Sequence, residues 1–209
     1  MYTILCFGDS NTFGYIPGSN GERYEREIRW TGRLQKLLGS DFYIIEEGLG
    51  GRTTVWDDPI EEDKNGAKYL MPCLQSHKPL DMVVLMLGTN DAKARFSLPV
   101  CDIAAGLENL VRRILGSKVG RGGGAPDVLL VCPVRIGRLT DWQDMLAGAK
   151  EKMERLPAEC EKIASAYGID FLDAGTIAKA SDLDGVHLDE EGHAQLAAKL
   201  CEIIKRKYC

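Results

Sequence analysis

The chain has 209 residues, of which 44% are hydrophobic and 27% are charged, and its formal net charge is −5. A chain of this length and composition can bury one sizeable core, so we expect a single domain over residues 1–209. The negative charge provides no field that attracts nucleic acid or an anionic membrane, so neither is expected as a partner. Small neutral or cationic molecules are better candidates for partners of a chain with this charge.

The amino terminus has no basic segment and no apolar stretch of the kind found in secretion signals. No apolar run approaches the roughly 18 residues of a membrane span. We therefore expect a cytoplasmic protein. The seven cysteines are odd in number and include no Cys-x-x-Cys pair, and Cys6 and Cys132 fall in apolar runs. This pattern predicts reduced, structural thiols and no metal site.

Short apolar runs alternate with longer amphipathic stretches along the chain. The runs predict strands at residues 3–8, 43–47, 82–88, 127–133 and 170–173. The amphipathic stretches predict helices at residues 31–38, 68–77, 100–118, 144–167 and 189–207. Nearly continuous apolar strands are typical of sheets covered on both faces, so the alternation predicts a parallel sheet between two layers of helices.

Glycine and polar residues follow the first three predicted strands. In a parallel sheet, ligands bind beyond the carboxyl ends of the strands, so chemistry is expected at these positions. Ser10 comes directly after the first strand, within Gly8-Asp9-Ser10. Taken alone, this tripeptide fits a turn in which Asp9 caps backbone amides as well as it fits a nucleophile.

Nucleophilic acyl transfer by a serine also needs a histidine base and a carboxylate that orients it. Of the three histidines, His77 ends a predicted helix and His193 lies inside another, so both fit structural roles. His187 lies in a loop, three residues after Asp184. An Asp-x-x-His pair is by itself also compatible with an ordinary loop, so it gains weight only together with Ser10.

Donors that can stabilise an oxyanion follow two further strands. Gly50 and Gly51 allow a backbone amide to approach a ligand closely, and Asn90 offers a side-chain amide. Asn90 is equally compatible with a turn that its side chain caps. Parts that complement one another in acyl transfer thus come from four separate strand ends.

The four blocks resemble, in the same order, those of the SGNH (GDSL-type) hydrolases: Gly8-Asp9-Ser10, Gly51, Gly88-Thr89-Asn90-Asp91 and Asp184-x-x-His187. Residues 46–54 and 65–70 are most similar to the subgroup of bacterial arylesterase-like acyltransferases, and the resemblance spans nearly the whole chain. It implies a flavodoxin-like three-layer α/β/α sandwich with a central five-stranded parallel sheet.

The resemblance also implies roles for individual residues. Ser10 would be the nucleophile, His187 the base and Asp184 its orienting acid. The backbone amides of Ser10 and Gly51 and the side chain of Asn90 would form the oxyanion hole. No cofactor or metal is implied, and the subgroup suggests a homo-oligomer.

Asn11 departs from the family pattern, which has leucine after the serine, so we expect a more polar rim of the acyl pocket. Tyr15, Thr89 and Val186 adjoin motif positions and are candidates for lining that pocket, although ordinary packing explains them equally well. Asp57 and Asp58 resemble a subgroup pattern and are expected in a turn or a subunit contact.

The predicted function is that of a serine esterase that hydrolyses small short-chain carboxylic esters, or transfers their acyl group, through an acyl-serine intermediate. One alternative is a carbohydrate O-deacetylase with the same triad, in which Trp30, Trp56 or Trp142 would stack on a sugar, although core or interface packing explains these residues better. A second alternative is a flavodoxin-like module that binds a phosphate or nucleotide without catalysis.

Overall fold

The computed structural model describes residues 1–209, which form one parallel sheet with helices on both faces. The strands are β1 (Tyr2–Gly8), β2 (Phe42–Gly48), β3 (Met82–Met86), β4 (Asp127–Cys132) and β5 (Asp170–Asp173). The helices are α1 (Ser10–Phe13), α2 (Trp30–Leu38), α3 (Gly66–His77), α4 (Val100–Leu115), α5 (Ala149–Tyr167) and α6 (Glu190–Tyr208). The strand order β2-β1-β3-β4-β5 is that of flavodoxin-like folds, which confirms the predicted architecture.

Two hydrophobic clusters cover the two faces of the sheet. Residues alternate between them along β1, because Leu5 and Phe7 belong to one cluster and Ile4 and Cys6 to the other. Helices α3, α4 and α5 complete the first cluster, while α2 and α6 complete the second. Burial on both faces explains why the strand sequences are apolar almost throughout.

The strand boundaries differ from the predicted ones by at most two residues, and the largest differences arise at helix ends. α4 ends at Leu115 because the amide of Gly116 caps carbonyls of the last turn, three residues before the predicted end. α5 begins at Ala149, five residues later than predicted, because Gly148 adopts a left-handed conformation with φ 74°. α1 is a single turn that apolar periodicity did not reveal, and the Asp9 side chain caps its first turn by accepting from the Asn11 amide.

All seven cysteines are free thiols. Cys6 and Cys132 are fully buried in strands, as predicted. None of the helices combines the length and the apolar character that crossing a bilayer requires.

The end of β2 lies directly against α1, and this contact brings two strand exits together. A Cβ atom on Gly48 would lie 2.5 Å from the carbonyl carbon of Thr12 and closer still to the amide nitrogen of Phe13. A backbone cannot yield to such an overlap as a flexible side chain can. The neighbouring Gly50 has nothing within 4 Å of an added Cβ.

We therefore expect Gly48→Ala to lower the free energy of unfolding by about 1–3 kcal/mol, the usual range for overpacking. Gly50→Ala is the matched control, with an expected change within about 0.5 kcal/mol. Urea denaturation followed by circular dichroism measures both. Equal midpoints for the two variants would show that the β2–α1 contact is not tight.

Candidate active site

Three polar side chains from distant parts of the chain form a continuous hydrogen-bonded series. The Nε2 atom of His187 lies 2.9 Å from Ser10 Oγ, and its Nδ1 atom lies 2.7 Å from Asp184 Oδ2. All three residues are buried. With a proton on Nδ1, the imidazole donates to the carboxylate and its Nε2 can accept the serine proton, as nucleophilic catalysis requires.

The loop that carries the histidine is organised by Asp184. Its Oδ1 atom accepts hydrogen bonds from the amides of Val186, at 2.8 Å, and His187, at 2.9 Å. Burial by itself would raise the pKa of the Asp184 carboxyl, but the hydrogen bonds from the His187 ring and these two amides outweigh it and lower that pKa. The carboxylate is therefore held in its charged form beside the imidazole.

Asn11 joins the serine segment to the histidine loop. Its Oδ1 atom accepts from the Leu188 amide at 2.8 Å, and its Nδ2 atom donates to the Val186 carbonyl at 3.3 Å. The side chain is buried and does not line the pocket. The expectation that Asn11 makes the acyl pocket more polar is therefore wrong, because both polar groups of its amide are used within the protein.

The candidate oxyanion donors gather around Ser10. Gly51 has φ 80°, and neither its amide nor that of Ser10 has an acceptor within the chain. Asn90 Nδ2 donates to the Arg52 carbonyl at 3.1 Å and makes a longer contact of 3.4 Å to Asp9 Oδ2. Gly50, Gly51 and Asn90 all line the same pocket as Ser10.

This pocket has a volume of about 380 Å³ and opens onto Ser10 and His187. Tyr15, Thr89 and Val186 line it, as considered from the sequence. The Tyr15 ring stacks on the imidazole, with centroids 4.2 Å apart and an angle of 29° between the planes. The hydrogen bonds position the imidazole along one axis, and the stacking also fixes the plane of its ring.

Sequence reasoning missed most of the apolar wall, which Trp142, Met145 and Leu146 supply. From the sequence, Trp142 is a candidate for core or interface packing or for stacking on a sugar. It lies edge-on to the His187 ring at 5.6 Å and is 36% exposed. These residues belong to an irregular segment between β4 and α5, although the amphipathic pattern predicts a helix that already includes Met145 and Leu146.

A charged cluster at the pocket rim was also missed. Lys93 donates to Glu61 at 2.6 Å, and both residues line the pocket. Asp58 receives hydrogen bonds from Arg95 at 2.9 and 3.2 Å and caps the turn that follows it. Asp58 thus lies in a turn, as expected, and Asp57 is an exposed neighbour that pairs with Lys68.

The remaining histidines and tryptophans lie elsewhere. His193 is fully buried, accepts from the Trp30 amide at 3.2 Å, and burial lowers its pKa to about 3. Trp30 is buried in the core, and Trp56 packs against the first hydrophobic cluster. Of the three tryptophans, Trp142 alone lines the pocket. His77 ends α3 and contacts Glu47.

Comparison with known proteins gives consistent matches. The profile of the GDSL-like Lipase/Acylhydrolase family matches residues 6–195. Among solved structures, the M. smegmatis aryl esterase is 41% identical, with 99% of each chain covered and a TM-score of 0.95. A carbohydrate acetylesterase from Sinorhizobium meliloti is 37% identical over all of both chains, with a TM-score of 0.95. No curated protein gives a significant match.

Asp9, behind the serine, is a buried carboxylate with few donors. Burial raises the pKa of its carboxyl from 3.8 to about 6, although the Asn11 amide and the charge of His187 act in the opposite direction. In the unfolded chain the group titrates near 3.8. Its ionisation therefore opposes folding increasingly from about pH 4 to pH 6, and fully above that.

We expect Asp9→Asn to remove this pH-dependent cost. The free energy of unfolding of the variant relative to wild type should rise by up to about 3 kcal/mol between pH 4 and pH 7. Urea denaturation at the two pH values measures this difference. Asp41→Asn, at an exposed aspartate, is the control and should show little change. A pH-independent difference for Asp9→Asn would contradict the assigned pKa.

Proposed function

The chain belongs to the GDSL-like lipase/acylhydrolase family and is a serine ester hydrolase, and we propose that Ser10, His187 and Asp184 cleave small carboxylic esters in it. The observation that carries this proposal is the unbroken hydrogen-bonded series from Ser10 Oγ to Asp184, at 2.9 and 2.7 Å. These three groups meet the requirements for a nucleophile, a base and an orienting acid.

In the first step, Ser10 Oγ attacks the carbonyl carbon of the ester while His187 Nε2 takes the hydroxyl proton. The imidazolium that forms is stabilised by the Asp184 carboxylate, whose lowered pKa keeps it charged. The carbonyl oxygen becomes an oxyanion. His187 then returns the proton to the leaving alcohol, the carbon–oxygen bond breaks, and an acyl-serine remains.

The oxyanion would receive hydrogen bonds from the Ser10 and Gly51 amides and the Asn90 side chain. The first two have no acceptor within the chain, so they can donate without breaking an existing bond. One Asn90 hydrogen is used by the Arg52 carbonyl, and the other makes only the 3.4 Å contact to Asp9. Each such donor is typically worth about 2.7–4 kcal/mol of transition-state stabilisation.

In the second step, water loses a proton to His187 and attacks the acyl-serine, which releases the acid and restores Ser10. Acyl transfer would follow the same path with an alcohol in place of water. Tyr15, Trp142 and Leu146 give the pocket an apolar wall that favours an alcohol over water.

We also retain the proposals of a cytoplasmic homo-oligomer with no cofactor requirement and of one domain over residues 1–209.

The pocket volume of about 380 Å³ favours a short acyl group such as acetyl. One solved relative is named as an aryl esterase and another as a carbohydrate acetylesterase. Two kinds of leaving alcohol, an aryl alcohol and a sugar, are therefore candidates for this chain. Trp142 supports an alcohol that contains a ring, because its exposed face can stack on a phenyl or a sugar. The second candidate function is thus carbohydrate O-deacetylation at the same triad.

Ser10→Ala should lower kcat/KM for p-nitrophenyl acetate by at least about 10³-fold, because the nucleophile is lost while the fold is kept. A fluorophosphonate probe should label the wild type at Ser10 and leave this variant unlabelled. Ser165→Ala, an exposed serine on α5, is the matched control and should keep both properties.

Full activity of Ser10→Ala would refute the mechanism. Absence of labelling in the wild type, together with no turnover of any ester, would favour the non-catalytic binding module instead.

Trp142→Ala should lower kcat/KM for phenyl acetate or an acetylated methyl glycoside by about 2- to 12-fold, the equivalent of about 0.5–1.5 kcal/mol of lost stacking. Ethyl acetate has no ring and is the reference substrate, with an expected change below about twofold. The wild-type ratio of kcat/KM for the two ring-containing esters identifies the preferred alcohol. Equal losses for all three esters would mean that Trp142 acts through His187 and does not contact the substrate.

A further inference from the structure

A second group of reactive side chains lies between the end of β2 and the last turn of α3. The Glu47 carboxylate, the Cys73 thiol and the His77 imidazole place one potential ligand atom each within 4.8 Å of one another. His77 Nε2 lies 2.9 Å from Glu47 Oε1. Cys73 and His77 are one helical turn apart, so they project from the same face of α3. Catalysis as described above uses none of the three.

Glu47 also borders a second cavity, whose lining includes neither Cys73 nor His77. This cavity has a volume of about 550 Å³, and Glu47, Arg52 and Tyr69 are among its lining residues. It shares no lining residue with the pocket at Ser10. Cys73 is fully buried, while the His77 side chain is 32% exposed and that of Glu47 is 18% exposed. A small cation can therefore reach the group past the partly exposed side chains of Glu47 and His77, without entering the catalytic pocket.

We propose that Glu47, Cys73 and His77 bind a divalent transition metal ion, with Zn²⁺ the best match. Thiolate, imidazole and carboxylate are the three ligand types that Zn²⁺ takes in proteins. Bond lengths of about 2.0–2.3 Å in a tetrahedral arrangement separate neighbouring ligand atoms by roughly 3.3–3.8 Å. The three atoms need only small side-chain movements to reach that spacing. The hard cations Mg²⁺ and Ca²⁺ are disfavoured because they require oxygen ligands.

Charge balance is compatible with the site. The ion would replace the thiol proton of Cys73, which leaves to solvent, so the two ligand charges neutralise the two charges of the metal. Burial, followed by the charge of Glu47, raises the pKa of this thiol to about 12, and the nearby Arg52 guanidinium acts in the opposite direction. Arg52 is itself held by the carbonyls of Gly8 and Glu47, and its Cζ atom lies 4.2 Å from the Phe7 ring centroid.

A metal at this position would be structural. It would link the end of β2 to the last turn of α3 and replace the hydrogen bond between Glu47 and His77. Glu47 also accepts from Arg52 through its backbone carbonyl, and the Arg52 carbonyl accepts from Asn90. The ion would therefore stabilise the segment that carries Gly51 without contacting the ester. This inference does not depend on the proposed catalytic roles.

The test uses metal-free protein with Cys101→Ser and Cys209→Ser, which remove the two exposed thiols. Titration with Co²⁺ should produce a thiolate-to-metal charge-transfer band that saturates at one equivalent. Addition of Zn²⁺ should abolish the band and raise Tm. Absence of the band, or saturation with no change in Tm, would overturn the proposal of a stabilising Cys-containing site.

Cys73→Ser in this background should remove the charge-transfer band. His77→Gln should weaken Zn²⁺ binding in calorimetry at least about tenfold, since outer-shell changes alone cost 10- to 100-fold. Ser76→Ala, an exposed neighbour on α3, is the matched control and should bind as the parent does.

His77→Gln decides the matter if Cys73→Ser does not fold, because His77 lies at a partly exposed helix end. Unchanged Zn²⁺ affinity in His77→Gln would refute the ligand set, and retained p-nitrophenyl acetate hydrolysis would show that the catalytic site is intact.

Discussion

The hydrogen-bonded series from Ser10 to Asp184 depends on the contact of Asn11 with the histidine loop. Ser10 and His187 are separated by 177 positions in the chain, yet their side chains meet at 2.9 Å. The amide of Asn11 bonds to residues on either side of His187, one through its oxygen and one through its nitrogen. Two bonds to a planar group restrict rotation as well as distance. Because Asn11 is buried, losing either bond would leave a polar group unsatisfied, at about 1–3 kcal/mol.

Three buried carboxylates in the same region differ in the direction of their pKa shifts. Asp184 has the His187 ring and two amides as donors, and its pKa falls. Asp9 and Asp91 are as buried, and burial outweighs their donors, so the pKa of each carboxyl rises to about 6. The carboxylate in contact with the imidazole is therefore the one that the fold keeps charged most firmly.

The sequence predicts the parallel sheet because its strands are marked by local patterns, namely apolar runs and turn residues. It also predicts that four strand exits converge, because ligand sites in parallel sheets lie beyond the carboxyl ends of the strands. The wall formed by Trp142, Met145 and Leu146 could not be predicted, because tertiary contacts position an irregular segment where the sequence pattern predicts the start of a helix. Asn11 was misassigned for a related reason, since a side chain next to the nucleophile can point toward substrate or into the protein. The prediction of no metal site considered the cysteines alone, whereas the proposed Zn²⁺ ligands combine Cys73 and His77, one helical turn apart, with Glu47 from β2.

The segment that leaves β2 is held from three directions, and this explains how Gly51 can present its amide without rearranging. Gly48 packs against the backbone of α1, where no side chain fits. Arg52 bonds to the carbonyls of Gly8 and Glu47, and its own carbonyl accepts from Asn90. Donors fixed before the ester binds need no reorganisation when the oxyanion forms, which is the source of their effect on rate. Rigidity at the exit of this one strand would therefore hold the proposed oxyanion donors in place, as the Asn11 side chain holds Ser10 and His187 together.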